Sequence, residues 1–248
     1  MNHQYCKIAI AASAVAFVNA APAMAQDRPS IGFEAATDEA RRGLSWSEGR
    51  AAVSADASGT IGPVEASARV VTLRDSVRHD GAWSVADLRL GTATDIGAVQ
   101  LRAGATAHLF AGARSKMDYV ELGASASYTY GPAQLTGGVE LAPSQDAIGG
   151  GNVHLYANAD AGIPGTPFTL IAGVGHSSGS VNDPIRAQRL RPVGSYANWR
   201  LGVEHRRGPL TLGLDYLGTD IDRADAFGPF ADARHSGDRL VGRVRFAL

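Results

Sequence analysis

The sequence predicts an all-β fold, an antiparallel up-and-down transmembrane β-barrel of about twelve strands. Three observations predict it. Apolar and polar residues alternate with a period of two along most of the chain, which is the period of a strand. Tight Gly/Pro turns alternate with longer polar segments, as short inner turns and long outer loops do in outer-membrane barrels. Nearly all mid-strand charges fall on one face of their strands.

The clearest stretch is 119–141. Val120, Leu122, Ala124, Ala126, Tyr128 and Tyr130 form one set, and Glu121, Gly123, Ser125, Ser127 and Thr129 form the other. Beyond Gly131-Pro132 the alternation resumes, with Leu135, Val139 and Leu141 against Gln134, Thr136 and Glu140. The Gly-Pro break makes an antiparallel hairpin.

Residues 1–25 read as a cleaved export signal. Lys7 is a weak positive region, 8–18 an apolar run, and Ala23-Met24-Ala25 an A-x-A cleavage site. Cleavage after Ala25 removes Cys6, the one cysteine, and leaves 26–248 as a single barrel domain without disulfide or thiol chemistry.

Strands are expected at 30–38, 50–59, 63–73, 83–95, 98–110, 118–130, 132–142, 152–163, 167–176, 196–206, 209–219 and 238–248. Most have the length, ~9–11 residues or a little more, that crosses a bilayer at a tilt. The first sets Ile31 and Phe33 against Glu34, the second Val53 and Ala55 against Asp56. Gly62-Pro63 turns the chain into the third, where Val64, Ala66 and Val70 oppose Glu65 and Arg69. Leu88 and Leu90 oppose Asp87 and Arg89. After Ile96-Gly97, Val99 and Leu101 oppose Arg102. The central hairpin follows, then Val153 and Leu155 against Asp160. A turn at 164–167 leads to Phe168, Leu170 and Val174. Trp199, Leu201 and Val203 oppose Arg200 and Glu204; across Gly208-Pro209, Leu210, Leu212 and Leu214 oppose Asp215. The last strand sets Leu240, Val244, Phe246 and Leu248 against Arg243 and Arg245. The longer connections are 39–49, 74–82, 111–117, 143–151, 177–195 and 220–237, read as external loops.

Alternation alone does not say which face is outside, since a soluble barrel would turn its apolar face inward. A lipid-facing Arg or Lys near the midplane costs ~2–4 kcal/mol, so a membrane barrel keeps charges on the other face. The apolar face is rich in small residues that would pack poorly as a sole core. Aromatics also cluster near strand ends, with Trp83, Tyr119, Trp199 and Tyr216 towards the loops and Tyr128, Tyr130, Phe168 and Phe246 towards the turns, like two interfacial girdles. The apolar face is therefore expected on lipid. A formal net charge of −1 without a basic patch argues against nucleic acid as a partner.

Segment 36–49, A-T-D-E-A-R-R-G-L-S-W-S-E-G, resembles the opening motif of the TorF-type porins, a family of bacterial outer-membrane proteins. That motif reads roughly T-S-D-Y-R-F-R-G-x-S-Q-S-D-G. Asp38, Arg42, Gly43, Ser45, Ser47 and Gly49 match it in place. Tyr119-Val120-Glu121-Leu122, Asn198-Trp199-Arg200-Leu201-Gly202-Val203, Leu212-Gly213-Leu214-Asp215-Tyr216 and Thr219-Asp220 are similar to further family patterns. Glu39 and Arg41 depart from it, standing where the motif has Tyr and Phe, and Leu248 stands where such barrels more often end in Phe. The resemblance implies an outer-membrane barrel more firmly than a substrate.

The candidate pore lining is the inward charged set: Arg69, Arg89, Arg102, Arg200, Arg243 and Arg245 with Glu65, Asp87, Glu121, Glu140, Glu204 and Asp215. Such a set tunes ion or solute preference in an open pore. In a plugged lumen the same residues would only satisfy one another. Small inward residues, among them Gly91, Gly104, Gly123, Ser125, Ser127, Gly138, Gly173, Gly202 and Gly213, favour open space. Loop 177–195, with Arg186, Arg189 and Arg191, is expected to be solvated, although it could constrict the pore or bind lipopolysaccharide phosphates. Asp220, Asp222, Asp225 and Asp232 lack EF-hand spacing, so neither metal nor cofactor is expected. His108 with Ser115, or His176 with Ser177, could pair as in a hydrolase, but no motif supports either, and no enzyme is expected. The expected function is passive diffusion of small hydrophilic solutes through a bacterial outer-membrane channel in contact with outer-membrane lipids and lipopolysaccharide. The alternative is a non-conducting receptor, adhesin or structural barrel. The sequence leaves oligomeric state open.

Overall fold

Three of the tight turns share one device. Gly62, Gly131 and Gly208 have φ of +58°, +55° and +57°, and each is followed by a proline whose ring holds φ negative. Positive then negative φ is the type II′ turn, whose twist matches that of the strands it joins. The computed structural model describes residues 29–248; the expected export signal lies outside them.

The strands are β1 (Ser30–Ala36), β2 (Ala40–Arg41), β3 (Leu44–Ser45), β4 (Ala52–Ile61), β5 (Val64–Ser76), β6 (Ala82–Ile96), β7 (Val99–Ala111), β8 (Tyr119–Tyr130), β9 (Ala133–Gln145), β10 (Gly150–Gly162), β11 (Phe168–Ser178), β12 (Tyr196–Arg207), β13 (Leu210–Thr219) and β14 (Arg239–Ala247). Twelve of them close a barrel, and β2 and β3 form a separate two-stranded ribbon. All barrel pairs are antiparallel. β1 meets β14 with Gly32 opposite Ala247 and Ala36 opposite Arg243, and Ile31 and Leu248 exchange two backbone hydrogen bonds of 3.2 and 2.9 Å. Closure leaves no open sheet edge, as a hydrocarbon surrounding demands.

The apolar face points outward. Phe33, Leu90, Leu155 and Leu240 are each more than half exposed, at 55%, 61%, 56% and 66%. Trp83 and Tyr216 are exposed near the loop end, and Tyr128, Tyr130, Phe168 and Phe246 near the turn end. Tyr119 departs from the expected girdle: it shares the face of Glu121 and is buried inside the barrel.

The buried apolar residues gather at the outer mouth. Trp46, Val71, Leu73, Val85, Tyr119, Ile148 and Leu190 belong to one cluster, and Leu44, Tyr196, Ile221, Ala226 and Ala231 form a second. Most strands run to about their expected ends, but β5 and β9 continue to Ser76 and Gln145 and so carry the wall up around this cap. β1 stops two residues early, at Ala36, because the chain then leaves the wall and turns inward.

Leu155 lies midway along β10 on the exposed face. Leu155→Arg is expected to lower unfolding free energy in phospholipid vesicles by roughly 2–4 kcal/mol. A loss under about 1 kcal/mol, the size found near the bilayer interfaces, would show that this face does not touch the hydrocarbon.

Candidate functional site

Segment 37–49, of which 39–49 is expected as an external loop, folds into the barrel as a hairpin. β2 pairs with β3, Ala40 opposite Ser45 and Arg41 opposite Leu44. The two residues between, Arg42 and Gly43, have φ of +51° and +76°, the pair of positive values that a type I′ turn needs. Asp38 organises the base. Its carboxylate accepts from Ser45 Oγ at 2.6 Å, Ser47 Oγ at 2.8 Å and Arg239 Nε at 2.7 Å. Gly49 N donates to Ser45 Oγ at 2.8 Å.

The hairpin spans the lumen from wall to wall. Arg69 on β5 donates to both oxygens of Glu39, at 2.6 and 2.9 Å. Arg41 makes a two-pronged pair with Asp87 on β6, at 3.1 and 2.7 Å, and stacks 4.1 Å from the Trp46 ring centroid. Arg42 Nη2 reaches Glu121 on β8 at 2.6 Å and Glu140 on β9 at 2.7 Å. Across the barrel, Tyr196 Oη donates to Arg42 O at 3.0 Å, and Arg239 Nη1 to Gly43 O at 2.9 Å. A Cβ on Gly43 would lie 2.5 Å from Thr219 and 2.9 Å from Asn198, so the tip can approach β12 and β13 only as glycine.

The twelve charged residues singled out from sequence lie on the inner wall. Arg102 pairs with Glu65 at 2.9 Å, Arg200 with Asp215 at 2.8 Å, Arg243 with Glu204 at 2.5 Å, and Arg245 with Asp56 at 2.6 Å. Arg69, Asp87, Glu121 and Glu140 hold the hairpin. Arg89, Arg102, Arg200, Arg243 and Asp215 line a cavity of about 1010 Å³ that runs from Asp95, Gln100 and Gln134 near the turns to Trp46, Leu190 and Tyr196 beneath the cap. Its wall on β8, β9 and β10 presents Ser125, Ser127, Thr136, Tyr156 and Asn158.

Several small inward residues do not leave open space. A Cβ on Gly213 would lie 2.5 Å from Arg243, on Gly138 2.5 Å from Tyr156, and on Gly173 2.5 Å from Asn158. The Gly202 position is taken up by Asp215. These glycines make room for long neighbouring side chains to lie along the wall.

The expected solvated loop 177–195 is also corrected. Arg189 and Arg191 are buried. Arg189 donates to Met117 O at 3.0 Å and to Ala147 O, and its Nη2 lies 3.1 Å from His79 Nδ1. Arg78, fully buried, donates to Ser45 O at 3.1 Å, Arg189 O at 3.2 Å and Ser236 Oγ at 3.1 Å. Four segments of the outer end thus meet on one guanidinium. Burial pushes Arg78 and Arg189 each down to about 10. Burial, reinforced by Arg189 and Arg78, holds His79 well below the usual 6.5.

Of the two conceivable Ser/His pairs, His108 with Ser115 and His176 with Ser177, neither forms. His108 stands in the lumen, its Nδ1 2.7 Å from Asp87 and its Nε2 3.3 Å from Glu121, while Ser115 donates to Asp80. Ser177 bonds His154 at 3.0 Å. In loop 220–238, Asp220 accepts from Ala197 N, Asp222 from Ala224 N, and Asp232 pairs with His235. Sequence reasoning missed Asp38, Glu39, Arg41, Arg42, Trp46 and His108 as lumen groups. The one available signal was the 36–49 motif, whose matching residues Asp38, Arg42, Gly43, Ser45, Ser47 and Gly49 are those that build and seat the hairpin.

Residues 30–241 match the family described as "Bacterial protein of unknown function (Gcw_chp)", and the chain belongs to it. No curated protein matches the chain by sequence. Among solved structures it is similar to the COG4313 outer membrane channel from Pseudomonas putida F1, at 10% identity over 90% of this chain and 96% of that one, with a TM-score of 0.56. Weaker likenesses include LpxR from Salmonella typhimurium (11% identity, 88% and 99% covered, TM-score 0.47). OmpT of Vibrio cholerae, lacking loop L8, is another (12% identity, 89% and 97% covered, TM-score 0.42). The fold is that of outer-membrane barrels. The expectation that the chain is no enzyme is overturned here. The likenesses among solved structures establish a barrel and carry nothing about catalysis, so the fold gives no ground for that exclusion.

Two outcomes follow from this geometry. Leu44 is 2% exposed beneath the cap, so a Leu44→Cys thiol should react slowly with a maleimide. Arg42→Ser removes the partner of the buried Glu121 and the half-buried Glu140, a loss of roughly 3–5 kcal/mol, and should raise that rate at least tenfold; an unchanged rate would show that Arg42 does not hold the hairpin. The second concerns pH. His79 has a folded pKa below its unfolded value of 6.5, so its neutral ring contributes fully above that value and its contribution declines as pH falls beneath it. Labelling of Leu44→Cys, normalised to an exposed control cysteine, should therefore rise on acidification below about pH 6.5. His79→Phe should flatten the rise.

Proposed function

We propose that this member of the Gcw_chp family is an outer-membrane channel for passive diffusion of small hydrophilic solutes, held narrow by the 37–49 hairpin. One observation carries the reading: an ion-pair- and hydroxyl-lined cavity of about 1010 Å³ lies along the inside of a barrel whose outer face is an apolar belt. An apolar solute would be carried poorly by such a wall, while a hydrated one can exchange hydrogen bonds with it. In this reading the twelve inward charges are the pore lining, the export signal ends at Ala25, and the outer aromatic residues meet outer-membrane lipid and lipopolysaccharide. The resemblance to TorF-type porins supports it, because the residues that carry it shape the hairpin inside the lumen. The likeness to the P. putida channel supports the barrel architecture on which it depends.

A second reading is favoured by a specific feature. The cap joined by Arg78 is tightly bonded, and its apolar clusters cover the outer mouth. A receptor or structural barrel would be built that way, presenting the loops and never conducting.

Single-channel recording in planar bilayers separates the two. The wild-type chain should give small or infrequent steps, and the Arg41→Ser/Arg42→Ser variant larger or longer ones, with folding of both verified by heat-modifiable gel mobility. Silence from both folded proteins would reject the channel.

A further inference from the structure

The hairpin's two guanidiniums occupy something the wall already provides. If the hairpin is subtracted, Arg102, Arg200, Arg243 and Arg245 each keep a wall carboxylate. Asp87, Glu121 and Glu140 lose theirs. Arg89, in the same cavity, offsets one of these three charges, and His108, if protonated, a second. The patch stays net negative. Glu121 is 6% exposed, and its Oε1 is buried without any hydrogen-bond partner while its Oε2 holds Arg42. Even with the hairpin in place, one buried carboxylate oxygen of the seat is therefore unsatisfied.

We infer that Asp87, Glu121 and Glu140 form a binding seat for a small solute carrying guanidinium or protonated amine groups, with Arg41 and Arg42 as its internal competitors. The inference rests on the channel reading for its biological sense, but the seat can be tested without it. Two features define the ligand class. The carboxylates come in two stations: Asp87 on β6, and Glu121 with Glu140 on the adjacent strands β8 and β9. β6 and β8 are separated by β7, whose His108 bridges the two stations, its Nδ1 2.7 Å from Asp87 and its Nε2 3.3 Å from Glu121, so these carboxylates stand within one imidazole and two hydrogen bonds of each other. A linear polyamine reaches both. Each station now holds a planar cation with charge-assisted bonds of 2.6–2.7 Å, so the site is shaped for N–H donors rather than for a bare metal ion.

Exchange of one cation for another would also open the lumen. When a solute takes the carboxylates, the hairpin tip loses its grip on β6, β8 and β9 while Glu39–Arg69 and Asp38–Arg239 keep its base seated, so the seat that selects the solute also loosens the constriction.

Spermidine is the probe, titrated into the folded protein in detergent by calorimetry and by tryptophan fluorescence. The Arg41→Ser/Arg42→Ser variant should bind it roughly tenfold or more tightly than wild type, because the competitors are gone. Adding Glu121→Gln and Glu140→Gln to that variant should return affinity to the wild-type level or below. If the first variant binds no better than wild type, or binds citrate as well as spermidine, the seat is overturned. Bilayer recordings keep the two readings apart. A conducting barrel indifferent to spermidine would sink the seat and leave the channel. A silent barrel that binds spermidine through Glu121 and Glu140 would sink the channel and leave the seat.

Discussion

The structure depends on one constraint: a charge on the outer face of this barrel would meet hydrocarbon. Away from the strand ends, where Arg207 beside the Gly208 turn shares the outer face with Leu210, the strands obey it, so the charged residues of twelve strands are turned into one narrow lumen. There they must find partners, since an unpaired charge away from water is costly. The ladder of Arg102–Glu65, Arg200–Asp215, Arg243–Glu204 and Arg245–Asp56 follows from that requirement. Glycines such as Gly213 let the long side chains lie flat against the wall. The ion pairs are better understood as the means by which a lipid-facing exterior is tolerated than as a source of stability, because a buried pair repays little more than its desolvation.

The upper lumen is filled by an extension of the same logic. Asp87, Glu121 and Glu140 have too few wall arginines near them, and the missing cations come from the hairpin between β1 and β4. Its own folding is local: Asp38 gathers Ser45 and Ser47, and Arg42-Gly43 makes the I′ turn. Its docking is not local, as it engages β5, β6, β8, β9 and β12. Above it, Arg78 and Arg189 bond chiefly to backbone carbonyls and so tie the outer segments together without carboxylates. The apolar core of the protein lies in this cap, which is why the polar middle of the barrel needs none of its own.

The sequence by itself determined the all-β class, the strand number, the positions of the tight turns and the side of each strand that meets lipid. Those features are set by period-two alternation and by Gly-Pro pairs, which are properties of neighbours along the chain. It also pointed to the twelve inward charges, because their face follows from the same parity. Only the tertiary structure decided where the loops go. A polar segment such as 37–49 reads alike whether it is solvated or inserted, since its ion pairs join residues as far apart as Arg42 and Glu140. The same holds for Arg78 and Arg189, whose partners are backbone carbonyls brought close by closure of the barrel. It holds too for the inward glycines, which look like vacant space in one strand and prove to be the seats of side chains from the next. Alternation is a local record of the membrane; pairing across the lumen exists only once the barrel has closed.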